Sequence, residues 1–345
     1  MDIKRRKVKV LIVDDSLVFR EMLSRALSND AGIQVVGTAS NPYEARDKII
    51  EYEPDVMTLD VEMPKMNGIE FLRKLMPQYP VPTVVVSSAS QAAFDALNNG
   101  AVDFVNKPDY SNPKNIEIFI NELVIKVKIA STANMSGWKA ESLQNNVQAV
   151  INRDIRYDLI AIGASTGGTE ATYNVLTALP KEIPGVVIVQ HMPPVFTAMY
   201  ADRLNKSCAI DVKEAQTGDI VRPGLALLAP GDFQMRLKKC PEGLMVECFK
   251  GEKVNGHCPS VDVLFNSVAA LTGKTSIGII LTGMGSDGAK GLLAMRNAGA
   301  RTIGQDQSSC VVYGMPKVAY DIGAVEKQAH LQNIPQILMS LLKNK

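Results

Sequence analysis

The chain alternates short apolar runs with longer stretches in which apolar residues recur every three or four positions. Val8 to Val13 is the first run, and it stops at Asp14-Asp15-Ser16. Val18, Met22, Leu23 and Ala26 then share one face of a helix, with Ser16 placed to cap it. Val35-Val36 predicts a second strand and 44–50 a second helix. Val56 to Leu59 predicts a third strand ending at Asp60, and after a loop through Gly68 a helix starts at Ile69. Val84 to Val86 ends at Ser87-Ser88, and Val102 to Val105 ends at Asn106-Lys107-Pro108. The connection from Ser87 to Gly100 is short, which predicts a trimmed fourth helix. Strand and helix in strict alternation give a five-stranded parallel sheet with helices on both faces.

From Ser131 to Arg153 the periodicity fades and Ser, Thr, Asn, Gln and Gly are frequent, as in an exposed linker. The linker holds the sole tryptophan, Trp138, and a short helical pattern near 143–151. Apolar runs then resume at Leu159–Ile162, Val186–Val189, Leu225–Leu228, Ile277–Leu281 and Thr302–Gly304. Helical patterns cover 171–179, 195–204 and 261–271, and another opens at Ala289. Phe233–Lys238 and Leu244–Phe249 alternate around Pro241-Glu242-Gly243, which is a β-hairpin signal. The second half therefore reads as a doubly wound, mostly parallel α/β sheet with a hairpin.

A length of 345 residues fits two domains at about 150 residues each. The formal net charge of +1 gives no electrostatic case for nucleic acid. No apolar run reaches the ~20 residues of a membrane span, and the N-terminus lacks a signal-peptide core. The five cysteines lack Cys-x-x-Cys spacing, so they read as reduced thiols in a cytoplasmic protein.

Chemistry enters at the strand ends. Asp14, Asp15, Asp60, Ser87 and Lys107 all sit at carboxyl ends of predicted strands and so share one sheet edge. Three carboxylates there call for a cation, and hard oxygen ligands suit Mg²⁺. In the second half Ser165, His191 and Asp287 fall on one edge in the same way. Such a set can supply a nucleophile, a base and an orienting carboxylate. On its own, the turn Gly163-Ala164-Ser165-Thr166-Gly167-Gly168 reads as a structural or phosphate-binding turn in preference to a catalytic serine. Gly283, Gly285 and Gly288 match a dinucleotide fingerprint, but the Asp287 charge within it opposes a pyrophosphate. His257 lies in a Gly-rich loop and His330 near the C-terminal helix, so neither occupies a strand end.

Asp14-Asp15, Asp60 with Met63-Pro64 and Gly68, Ser87, and Lys107-Pro108 resemble the receiver domain of two-component response regulators. The resemblance implies a flavodoxin-like domain over residues 1–129 with Asp60 as phosphoacceptor. It also implies Mg²⁺ held by Asp14, Asp15, Asp60 and the Glu62 carbonyl, with Lys107 and Ser87 on the phosphoryl group. Ser88 is the alternative hydroxyl. Residues 163–168, Gln190-His191-Met192-Pro193-Pro194 and 281–288 resemble the chemotaxis protein-glutamate methylesterase family. That resemblance implies a linker at 130–154 and a catalytic domain at 155–345 with a Ser165-His191-Asp287 triad. The Thr166 and Met284 amides then form an oxyanion hole, and the ester chemistry needs no cofactor.

The implied activity is phosphorylation-activated hydrolysis of receptor glutamate methyl esters, with deamidation of certain receptor glutamines. The implied partners are methyl-accepting chemotaxis receptors as substrate and a chemotaxis histidine kinase as phosphodonor. The chain is expected to be a monomer that neither binds nucleic acid nor inserts into a membrane. A DNA-binding output domain, a nucleotide-dependent oxidoreductase and a non-catalytic adaptor are the rival readings.

Overall fold

The computed structural model describes residues 6–64, 66–135 and 157–343, which divide into two units within 1–141 and 142–345. The expected helix near 143–151 and Trp138 lie outside the described residues. In the first unit β1 (Val8–Val13), β2 (Ile33–Ala39), β3 (Val56–Leu59), β4 (Thr83–Ser87) and β5 (Asp103–Asn106) alternate with five helices. These are α1 (Leu17–Ser28), α2 (Pro42–Tyr52), α3 (Gly68–Leu75), α4 (Ser90–Asn98) and α5 (Pro113–Ala130). The strands pair in parallel in the order β2-β1-β3-β4-β5.

Local sequence sets the helix starts. Ser16, Asn41, Asn67 and Asn112 each accept a backbone N–H of the turn that follows, the preferred chemistry for an N-cap. The short connection after Ser87 still holds a nine-residue helix, α4, one residue longer than α3. Helix α5 reaches Ala130, where the expected linker begins.

The second unit contains β6 (Leu159–Ala164), α6 (Gly168–Thr177), β7 (Gly185–Gln190), α7 (Phe196–Ser207), β8 (Asp211–Glu214) and β9 (Leu225–Leu228). The antiparallel hairpin β10 (Gln234–Cys240) and β11 (Gly243–Phe249) follows. Then come α8 (Val261–Leu271), β12 (Ser276–Ile280), α9 (Ala289–Asn297), β13 (Arg301–Gln305), α10 (Met315–Asp321), β14 (Lys327–Ala329) and α11 (Ile334–Lys343). Seven parallel strands run in the order β14-β13-β12-β6-β7-β9-β8.

Every residue of β6, β7 and β12 is buried, as expected for central strands covered on both faces. Each buried Val, Ile or Leu there contributes about 1.5–3 kcal/mol, so these three strands form a stiff platform. From β6 the chain winds first toward β7 and later returns to build on β12. The crevice beyond the carboxyl ends of β12, β6 and β7 is therefore the switch point where open α/β sheets bind ligands.

Candidate active site and acidic cluster

In the first unit, Asp14 and Asp15 follow β1 and Asp60 follows β3. Their carboxylate oxygens lie within 4.8 Å of one another. Lys107, just past β5, offsets part of that charge: its Nζ lies 2.7 Å from Asp60 Oδ2 and 2.9 Å from Asp14 Oδ2. It also sits over the Phe19 ring, 4.7 Å from the centroid. Burial alone would lower the Lys107 ammonium, but hydrogen bonds to Asp60 and Asp14 win and raise it. Burial, helped by the charge on Asp60, raises the Asp14 carboxyl despite Lys107. One ammonium does not balance three carboxylates, and an all-oxygen donor set with one exposed member, Asp15, fits a hard divalent cation.

The hydroxyl alternatives separate. Ser87 Oγ is buried and accepts the Ala89 N–H at 3.1 Å, whereas Ser88 Oγ donates to Glu62 Oε2 at 2.7 Å. Neither bonds to Asp60. The Glu62 N–H donates to Asp60 Oδ1 at 3.1 Å.

In the second unit, Ser165 occupies the turn between β6 and α6. Its N–H donates to the Thr282 carbonyl at 3.0 Å, and its carbonyl accepts from Gly168 N at 2.7 Å and Gln190 Nε2 at 2.8 Å. The turn needs glycine at 167, where φ is +76°. It needs glycine at 283 too, because a Cβ there would lie 2.6 Å from Ser165 Cβ. His191 follows β7 and donates its N–H to the Ala164 carbonyl at 3.1 Å, which fixes it beside the Ser165 turn.

Asp287, in the loop between β12 and α9, lies 2.8 Å from His191 through Oδ2 and Nε2. The carboxylate is buried and accepts four further hydrogen bonds. Oδ1 takes Asn255 Nδ2 and Ser260 Oγ at 2.8 Å and Asp262 N at 3.2 Å, and Oδ2 takes Val261 N at 2.7 Å. Asp287 thus caps α8, whose own N-cap, Ser260, makes no capping bond. Burial alone would raise the Asp287 carboxyl; the bonds from His191, Asn255 and Ser260 prevail and hold it well below the usual carboxylate range. An ionised Asp287 requires His191 Nε2 to carry the proton, which leaves Nδ1 as the basic nitrogen. Nδ1 is buried without a hydrogen-bond partner among the described residues. Sequence reasoning placed His191, Asp287 and Ser165 on one edge. The structure joins the first two directly, with Ser165 on the adjacent strand end and not hydrogen-bonded to His191. Thr166 is buried, with its carbonyl accepting Thr282 Oγ1 at 3.0 Å.

Two residues passed over in the sequence belong to this site. His257 stacks on His191 with ring centroids 3.6 Å apart and planes 10° from parallel. Asn255 donates to both Asp287 and Asp262 at 2.8 Å. Both belong to the turn 254–257, whose Asn-Gly centre has φ +53° and +84°, as a type I′ turn requires. That dipeptide was the available signal. Gln234 of β10 ties the turn down: its Nε2 donates to the Glu252 and His257 carbonyls, and its Oε1 accepts Ser260 N at 2.8 Å.

The CheB methylesterase family model matches residues 160–338, and the response regulator receiver domain model matches 10–116. The chain belongs to the CheB methylesterase family. A protein-glutamate methylesterase/protein-glutamine glutaminase of Syntrophomonas wolfei is 59% identical across 98% of each chain. One from an Escherichia coli strain is 45% identical over 97% of each. The crystal structure of the Thermotoga maritima CheB methylesterase catalytic domain is 37% identical and superimposes with a TM-score of 0.53, covering 54% of this chain and 98% of that one.

The stacked pair gives this methylesterase-family site an acid sensitivity. Burial first, and His191 second, push His257 from its ordinary 6.5 down to about 4, with Asp287 opposing and Lys253 assisting. Between those values the unfolded chain takes up a proton that the folded chain refuses, so the His257 contribution to stability falls as pH falls from 6.5 toward 4. Melting temperatures across that window, followed by circular dichroism, are expected to drop less in His257→Phe than in the parent. Parallel curves for the two proteins would count against a neutral, buried His257.

Proposed function

We propose that the chain is a phosphorylation-controlled protein-glutamate methylesterase and protein-glutamine glutaminase, acting in the cytoplasm on methyl-accepting chemoreceptors. The observation that carries the triad is the 2.8 Å His191–Asp287 bond, with Nδ1 left as a buried, partnerless base beside the strand end that bears Ser165. Ser165 Oγ attacks the γ-carbonyl of the methylated glutamate while His191 Nδ1 takes its proton. Asp287 stabilises the imidazolium. His191 returns the proton to the leaving methoxide, giving methanol, or to the amide nitrogen, giving ammonia. The acyl-serine that remains is opened by water, which His191 deprotonates. The Met284 N–H, which has no acceptor among the described residues, and the Thr166 N–H are the donors for the oxyanion. No helix among the described residues is long and apolar enough to cross a membrane.

In the receiver, Asp60 is the phosphoacceptor, and Asp14, Asp15, Asp60 and the Glu62 carbonyl would hold Mg²⁺. The cation supplies charge neutralisation between those carboxylates and an incoming phosphoryl group. Lys107 exchanges its carboxylate contact for phosphoryl oxygens, and Ser87 is the hydroxyl that moves toward them. A chemotaxis histidine kinase is the phosphodonor in the cell. The test uses acetyl phosphate. Radiolabel is expected on the wild-type chain only with Mg²⁺ present, and methanol release from methylated receptor membranes should rise with it. Asp60→Asn should show neither effect, and labelling of that variant at wild-type stoichiometry would refute the assignment.

A further inference from the structure

The triad reading leaves His257 without a part, although among the described residues it is the ring stacked on the base. The two imidazoles are nearly parallel at 3.6 Å, and the contact is imposed from outside the catalytic strands. Val254 and His257 exchange backbone hydrogen bonds at 3.0 Å across the Asn-Gly turn, and the Gln234 side chain holds the His257 carbonyl. The same turn aims Asn255 at Asp287. One four-residue turn therefore touches both the base and its carboxylate.

We propose that His257 is a positioning residue for this esterase: stacked on His191, it fixes the plane and tautomer of the base so that Nε2 stays on Asp287 and Nδ1 stays available. This rests on the triad reading above. The Asp287 bond restrains one edge of the His191 ring but leaves the ring free to rock about that bond. A second ring lying flat at van der Waals distance blocks the rocking and keeps water off that face. Water there would compete for Nδ1 and for the Asp287 bond.

The stacking ring must be uncharged for this to work, since two imidazolium ions face to face repel. His257 meets that condition near pH 7. It has no carboxylate partner of its own, whereas His191 is bonded to Asp287. The charged and titratable groups around His257 are His191, Asp287 and Lys253. Asp262 stands one hydrogen bond further off, through Asn255.

The role predicts that ring shape matters and ring protons do not. His257→Phe keeps a flat ring, and His257→Ala removes it. The chain has three histidines, so ¹⁵N-histidine labelling of the full-length protein gives an imidazole spectrum that can be assigned with these variants. The wild type and His257→Phe should both show His191 as a single Nε2–H tautomer, with kcat for methanol release within about threefold of each other. His257→Ala should show an averaged His191 tautomer and a kcat lower by roughly 10- to 100-fold at little-changed KM. The tautomer readout does not depend on esterase activity, so it separates a failure here from a failure of the triad reading. Two results would overturn the proposal. In one, His257→Ala keeps the wild-type His191 spectrum and kcat. In the other, His257→Phe loses as much kcat as His257→Ala while remaining folded by circular dichroism, which would assign a chemical duty to the second imidazole.

Discussion

Ser165→Ala is expected to lower methanol release from methylated receptor membranes by on the order of a million-fold while leaving the fold unchanged. The structure explains why the two effects separate. The backbone of Ser165 does the structural work: its N–H meets Thr282, and its carbonyl takes Gly168 and Gln190. Its hydroxyl has no hydrogen-bond partner among the described residues, so losing it leaves nothing unsatisfied. His191→Ala should be similarly inactive, and the double variant should be little worse than either single one, because in the proposed mechanism nucleophile and base act as one unit. Initial rates at matched enzyme concentration, with circular dichroism of each variant, decide the matter. Turnover near the wild-type rate in Ser165→Ala would remove the serine mechanism.

Asp287→Ala is expected to fail in a different way, losing stability as well as rate. Read as an orienting carboxylate alone, Asp287 would be partly replaceable by water, and the loss of activity milder than at Ser165. A rate loss of about 10⁴-fold matches that role. The five hydrogen bonds ending on the carboxylate add a second consequence. Removing it strands the Val261 and Asp262 amides at the start of α8, the Ser260 hydroxyl and part of the Asn255 amide. Breaking a buried charged network of this kind costs about 3–5 kcal/mol. Asp287→Asn should recover only part of this, because its amide group turns donors toward donors. Urea denaturation of the full-length chain measures the effect. An Asp287→Ala midpoint equal to the wild type would show that the network is not needed for the fold.

The sequence made the sheet centres and their strand-end chemistry legible, because both have a simple physical signature. A central strand covered on both faces must be an apolar run, and β1, β3, β6, β7, β9 and β12 are such runs. The strands passed over, β8 and β14, are the two edges of the second sheet, where Asp211–Glu214 and Lys327–Ala329 meet a neighbour on one side only. Charged residues are normal there and erase the signal. Helix α5 was missed because Ile118 and Ile125 stand exposed and blur the stripe of Phe119, Leu123 and Val127. His257 was missed for a different reason. Its contact with His191 depends on where a β-turn lands after the hairpin has folded, and no spacing along the chain encodes that distance.

The cap that Asp287 places on α8 also makes the active site countable without substrate. The Val261 and Asp262 amide protons reach solvent only when the carboxylate lets go of them. Their deuterium uptake therefore reports how often Asp287 releases the start of α8 in the resting protein. Any modification or ligand that tightens or loosens the loop bearing Asp287 should register in those two amides before it registers as a rate.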